Sequence, residues 1–222
     1  MDIQELRREA QTMQPQLTAD RRRLHRNPEA GAVLPETVAY VKGRLTEMGY
    51  HPQELGGGLT ATVTGTDTGR CILLRADMDA LRGQEQSGLS FRSENGCMHA
   101  CGHDMHTAML LGAAQLLMQH RQELSGTVKL VFQPDEEGTN PLGFSGAQAM
   151  LKDGILENPH VDAVVSMHIM SQSPYSAGTI YTRRGPMMSS CDTITITITG
   201  KGTHGSMPQE GVDALNVGVH IY

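Results

Sequence analysis

The spacing of apolar and polar positions changes several times along the 222 residues, and each change marks an element. Residues 3–26 carry apolar positions at helical spacing, interrupted at Pro15, and "HRNPEAG" stops the run. "PETVAYVKGRLTEMGY", from Pro35, predicts a second helix with proline first and Gly49 at its end. Two short runs rich in Thr, Val, Ile and Leu follow, "LTATVTG" (59–65) and "GRCILLRAD" (69–77). Both are bounded by glycine and read as strands. "DMHTAMLLGAAQLLMQHRQEL", from Asp104, is the clearest helix, with Asp104 expected as its N-cap and Ser125 and Gly126 as its stop. Strand 127–133, helix 145–154 and strand 161–168 come next.

Strands that alternate with helices predict an α/β domain, a mostly parallel sheet with helices on both faces. After "TRRGPMMSS" the pattern becomes strictly alternating in "CDTITITITG" (191–200), as expected of a strand with one solvated face that belongs to another sheet. We therefore expect residues 1–185 to belong to the main domain and 186–222 to begin a small α+β domain. "TITITIT" would be aggregation-prone at an open edge.

Composition sharpens this picture in three ways. Aromatics make up only 4% of the chain and Trp is absent, so aliphatic residues and the 14 methionines must fill the interior. A net charge of −6, with one basic run at 21–23, argues against a nucleic-acid footprint or a polybasic membrane patch. The charged N-terminal segment "MDIQELRREAQ" lacks the apolar stretch of a signal peptide, which predicts a cytoplasmic protein. Four cysteines do not make a disulfide framework at this length; free thiols or metal ligands are expected.

The chemistry concentrates where an α/β sheet places its crevice, just after the strands. Asp77 and Asp79 follow one strand, Asp135, Glu136 and Glu137 another, and His168 ends a third. "MHACGHDMH" (98–106) opens the clearest helix. There Gly102 permits a turn that aims Cys101 and His103 at one point, and the helix dipole together with a cation would favour a Cys101 thiolate. Thiolate, imidazole and carboxylate together suit zinc or another borderline divalent metal better than magnesium or calcium. Consecutive side chains diverge, so one of Glu136 and Glu137 can hold metal while the other acts as general base on a metal-activated water. Asp104 is expected to cap the helix, and His99 and His106 to support the site.

Six segments in order, "RRLHRNPE", "LRADMDAL", "MHACGHDMHTAMLLGAA", "VFQPDEEG", "GAQAMLKDG" and "RRGPMMSSCDTITITITGKGTHGSMPQEGVDA", are spread along the chain from residue 22 to residue 214. Together they resemble the cytosolic dinuclear metallohydrolases that include hippurate hydrolase, N-acyl-amino-acid amidohydrolases and auxin-conjugate hydrolases, within the aminoacylase and carboxypeptidase superfamily. The resemblance implies a zinc-peptidase-like catalytic domain with Cys101, His103, Glu137 and His168 as ligands of two divalent ions: zinc, manganese, cobalt or nickel. It implies Glu136 as general base and Asp79 as a supporting carboxylate. It further implies a lid and dimerisation domain whose His204, in "GKGTHGSMP", reaches a neighbouring subunit's site and polarises the substrate carbonyl. The expected substrate is an N-acyl or N-aroyl amino acid or a small peptide, handled by a homodimer, with no nucleic acid or membrane as partner.

Family members are longer, and "DALNVGVHIY" ends without a helix stop, so a chain truncated inside the lid is expected, lacking a further histidine ligand that His220 does not replace. Two alternatives therefore stand beside the hydrolase: an inactive remnant that binds metal or a partner chain, and a cysteine hydrolase with Cys101 as nucleophile and His103 or His106 as base.

Overall fold

Proline and glycine set the limits of the first helices. In this computed structural model, α1 (Ile3–Thr12) and α2 (Gln14–Arg26) meet at Met13, and Pro15 lies in the first turn of α2, where its missing N–H is harmless. α3 (Pro35–Glu47) opens on proline and ends before Gly49, whose φ of +90° lies in the left-handed region that favours glycine. The structure describes every residue except 1, 68, 140–144, 172, 173, 175, 191 and 193. By internal contacts the chain divides into two compact units, residues 1–172 and 173–222.

The first unit continues with β1 (Gln53–Leu55), β2 (Gly58–Thr64), β3 (Cys71–Asp77), β4 (Leu81–Arg82) and β5 (Cys97–Met98). Then come α4 (His103–Gln119), a 3₁₀ turn at Arg121–Glu123, β6 (Thr127–Gln133), α5 (Gly146–Lys152) and β7 (Ala163–Ser166). Five strands form one sheet in the order β1-β2-β6-β3-β7. β6 and β3 pair in parallel with Asp77 opposite Gln133, and β7 pairs in parallel on the far side of β3. β2 runs antiparallel to both β6 and β1, so it alone opposes the other four strands. The small pair β4 and β5 stands apart as its own ladder.

Period-two alternation divides β6 between the two faces. Val128, Leu130 and Phe132 pack with Leu59, Ala61 and Val63 of β2, Ala76 of β3, and Val41, Leu45, Leu110, Leu111 and Ala114 of α3 and α4. On the other face Val131 and Leu73 meet Met150 of α5 and Ile155. Lys129 points to that second face, where its Nζ donates to the carbonyls of Ile155, Glu157 and Pro159 at 2.9, 2.7 and 3.1 Å. Those three acceptors offset its desolvation, since an unpaired ammonium at that depth would be strongly unfavourable. Helices thus cover both faces of the sheet's centre, whereas β7 is exposed along all four residues. No helix among the described residues is long and apolar enough to cross a membrane.

In residues 173–222 no described residue is buried. α6 (Ala214–Ile221) is capped by Asp213, whose carboxylate accepts from the Asn216 N–H at 3.1 Å. Lys201 and Val212 form an isolated antiparallel bridge. The strand expected in "CDTITITITG" is not formed: its described residues pair with nothing, and Ile194 is 82% exposed. Alternation supplies a face to bury, but a strand also requires a neighbour to complete its hydrogen bonds, and none of the described residues pairs with this one.

Candidate metal centre

Parallel register brings the carboxyl ends of β3 and β6 to the same edge of the sheet. Asp77 closes β3 and Asp79 follows it; Asp135, Glu136 and Glu137 follow β6; and α4 begins beside them at His103. The helix starts two residues earlier than an Asp104 N-cap would set it. Its N-cap is Gly102 at φ +83°, with no side-chain cap, and Asp104 is in the first turn. Asp104 is withdrawn from capping because it accepts from Arg21 Nε at 2.7 Å and lies 2.8 Å from His25 Nδ1.

The hydrogen bonds around His103 determine which nitrogen is available. Its Nδ1 lies 2.8 Å from the Asp79 carbonyl and 3.3 Å from Asp79 Oδ1, so the proton sits there. The Nε2 atom is buried and makes no hydrogen bond to any described residue, although Asp77 Oδ2, Glu136 Oε2 and Glu137 Oε1 lie 3.7, 3.7 and 3.9 Å away. Glu137 Oε1 is likewise buried without a hydrogen bond, while the Glu137 N–H donates to Asp79 Oδ2 at 3.1 Å. Cys101 Sγ faces His168 Nε2 at 3.3 Å.

His106 has both nitrogens engaged, with Asp77 Oδ1 2.6 Å from Nδ1 and the Ile169 N–H donating to Nε2 at 3.0 Å. His99 is buried and makes no hydrogen bond to a described residue through either nitrogen. Burial, first of all, depresses its pKa to about 4.

The electrostatics describe a site with excess negative charge. Burial raises the Cys101 thiol to about 11, and Glu137 and Glu136 push in the same direction. The thiolate expected from the helix dipole is therefore not favoured by the protein alone; the nearby carboxylates and the loss of water outweigh the dipole. Burial also raises Glu137, against the pull of His103 and with the push of Glu136 and Asp79. For His103 burial acts downward, but the Asp79 hydrogen bond and the Asp77 and Asp79 charges prevail and raise it. Asp77 falls to about 2: burial opposes this, and the His106 hydrogen bond and Arg75 overcome it.

Three groups of side chains each bring donor atoms within 4.8 Å of one another: Cys101, His103 and His168; Asp77, His103 and His106; and His103, Glu136 and Glu137. Sulfur, imidazole and carboxylate donors around two buried atoms that lack hydrogen bonds fit a borderline divalent cation. Of the residues singled out from the sequence, Cys101, His103, Glu136, Glu137, His168 and Asp79 are gathered here. His204 lies in the second unit, in an exposed turn where Ser206 engages its Nδ1. Asp77 has more connections here than its place in the sequence suggested. Its signal was the i, i+3 pair His103 and His106, which face one side of α4 and both meet this carboxylate.

The pattern of peptidase family M20/M25/M40 matches residues 73–217, and the chain belongs to that family. It is 38% identical, over 99% of its length, to thermostable carboxypeptidase 2 of Saccharolobus solfataricus, covering 55% of that protein. Against N-acetyl-L-cysteine deacetylase of Bacillus subtilis the identity is 40% over 92% of this chain and 48% of the relative. A crystal structure described as a dinuclear metal binding peptidase from the M20 family of Bacillus subtilis aligns over 71% of this chain and 43% of that one, with 40% identity and a TM-score of 0.65. The chain spans about half the length of the curated relatives it matches.

Proposed function

We propose that this chain carries the greater part of a two-metal amidohydrolase centre that cleaves the amide bond of N-acyl or N-aroyl amino acids or small peptides. The observation that carries the reading is that Cys101 and His168 form one donor group with His103, and Glu136 and Glu137 another, while the buried His103 Nε2 has no hydrogen bond among the described residues. A carboxypeptidase and an N-acyl-amino-acid deacetylase share one bond type, an amide whose nitrogen belongs to an amino acid with a free carboxylate, and relatives of both names support that substrate class.

In this reading Cys101, His103, Glu137 and His168 hold the ions: zinc, manganese, cobalt or nickel. Two divalent ions, when bound, supply Lewis acidity and positive charge, which lowers the pKa of water and of the Cys101 thiol. Asp79 fixes the tautomer of His103 and, through the Glu137 N–H, the start of the following loop. Glu136 is the more open of the two glutamates, its side chain 37% exposed against 21% for Glu137. It is placed to take the proton from the attacking water and return it to the leaving nitrogen. His204 polarises the scissile carbonyl from the partner of a homodimer. Its Nδ1 accepts from the Ser206 N–H at 3.3 Å, which leaves Nε2 to carry the donated proton. A Cys101 nucleophile is disfavoured, since it would leave Glu136, Glu137 and His168 beside it without a part in the reaction.

The test is hippurate hydrolysis by the purified chain loaded with zinc or manganese. Glu136→Gln is expected to lower turnover by about 10²–10⁴-fold with metal content unchanged. Activity that survives this substitution overturns the assignment of the base; activity that ignores a chelator but yields to a thiol reagent overturns the metal reading. Bound metal without turnover in the unsubstituted chain points instead to an inactive metal-binding half.

A further inference from the structure

We propose that His106 is a positioning residue for His168: it fixes the backbone at Ile169 and thereby keeps the His168 imidazole beside Cys101. The proposal rests on the reading of Cys101, His103, Glu137 and His168 as a ligand set.

β7 gives His168 little support of its own. Its ladder with β3 ends at Arg75 opposite Ser166, two residues before the histidine. Between 162 and 170 every residue but Ile169 is exposed. Two contacts anchor it. The Ile169 N–H donates to His106 Nε2 at 3.0 Å, and the Ile169 side chain lies over Gly102, where an added Cβ would stand 2.1 Å from Cδ1. The glycine between Cys101 and His103 is thus also the seat of the residue after His168, so the two halves of the donor cluster interlock at one point.

His106 can accept from Ile169 only because of what lies on its other side. Asp77 Oδ1, 2.6 Å away, accepts a hydrogen bond from Nδ1–H, which keeps the proton there and leaves the Nε2 lone pair open. Arg75 Nη1 binds the second Asp77 oxygen at 2.8 Å and steadies the carboxylate. The His106 ring also packs edge-on against His168, with centroids 4.6 Å apart and planes at 65°. With both nitrogens engaged, His106 influences a metal only through the residue it holds.

Cobalt(II) is the probe, titrated into the full chain and followed by its visible and thiolate charge-transfer absorbance. The variants are His168→Ala, His106→Phe and the double variant, with circular dichroism of each metal-free protein as a check on folding. His106→Phe keeps the ring and removes both polar atoms. The expected loss of cobalt affinity for His106→Phe is roughly 10–100-fold, with the double variant no weaker than His168→Ala alone, since both substitutions remove one interaction. Ile169→Ala, which removes only the side chain seated on Gly102, is expected to weaken cobalt in the same direction and serves if His106→Phe does not fold. Unchanged affinity in His168→Ala overturns the ligand set itself. A clear loss in His168→Ala with native affinity in His106→Phe and Ile169→Ala, or losses that add in the double variant, overturns the positioning role alone.

Discussion

His103 and His168 contribute to the same donor cluster from opposite kinds of support. His103 opens a 17-residue helix packed on the central strands, is 1% exposed, and has its ring oriented by Asp79. His168 follows an edge strand whose four residues are all exposed, and it borrows its position from residues on α4. A ligand on a rigid element is placed by the core; a ligand on an edge must be placed by contacts made for that purpose. The difference predicts where mutations will be felt.

The largest effect is expected beneath His103. Phe132→Ala removes a fully buried ring between β6 and α4 and should cost about 3–5 kcal/mol in urea unfolding; a loss under 1 kcal/mol would mean that this wall is not the firm one. Gly102→Ala comes next. A Cβ at φ +83° carries a strain of roughly 1–2 kcal/mol and meets the Ile169 side chain, so the unfolding midpoint should drop while Ile169 is displaced. Full stability in that variant would separate the two halves that Gly102 joins. The smallest effect belongs to β7. Val164, 57% exposed, should tolerate alanine within about 0.5 kcal/mol, and a cost comparable to that of Phe132→Ala would show β7 covered in solution and remove the contrast.

The same contrast explains what could be read from the sequence. Strand β6 follows its apolar run residue for residue, and α3 keeps its proline start and glycine stop, because burial and backbone stereochemistry are local signals. The donor cluster was legible because its members follow strands or open a helix, where an α/β crevice forms. The direction of β2 was not, since an antiparallel neighbour and a parallel one can carry the same residues. The "TITITIT" strand failed because alternation cannot report whether a partner is present. Asp104 was misread as a cap because its true partners, Arg21 and His25, lie about 80 positions earlier. The metal-free environment of Cys101 was not legible for a similar reason: its thiol is raised first by burial and then by Glu137 and Glu136, which come from a strand end more than 30 residues away.

The strand order has a consequence for how the molecule is made. β2 and β3 are consecutive in the chain but do not pair with each other; each pairs with β6, which is inserted between them. Until residue 133 has left the ribosome, neither earlier strand has its partner at the sheet's centre, and the apolar faces that α3 and α4 will share remain without a floor. Folding therefore depends on loop closures of high sequence separation, the kind that slows a nascent chain and lengthens its exposure to chaperones and to its own copies.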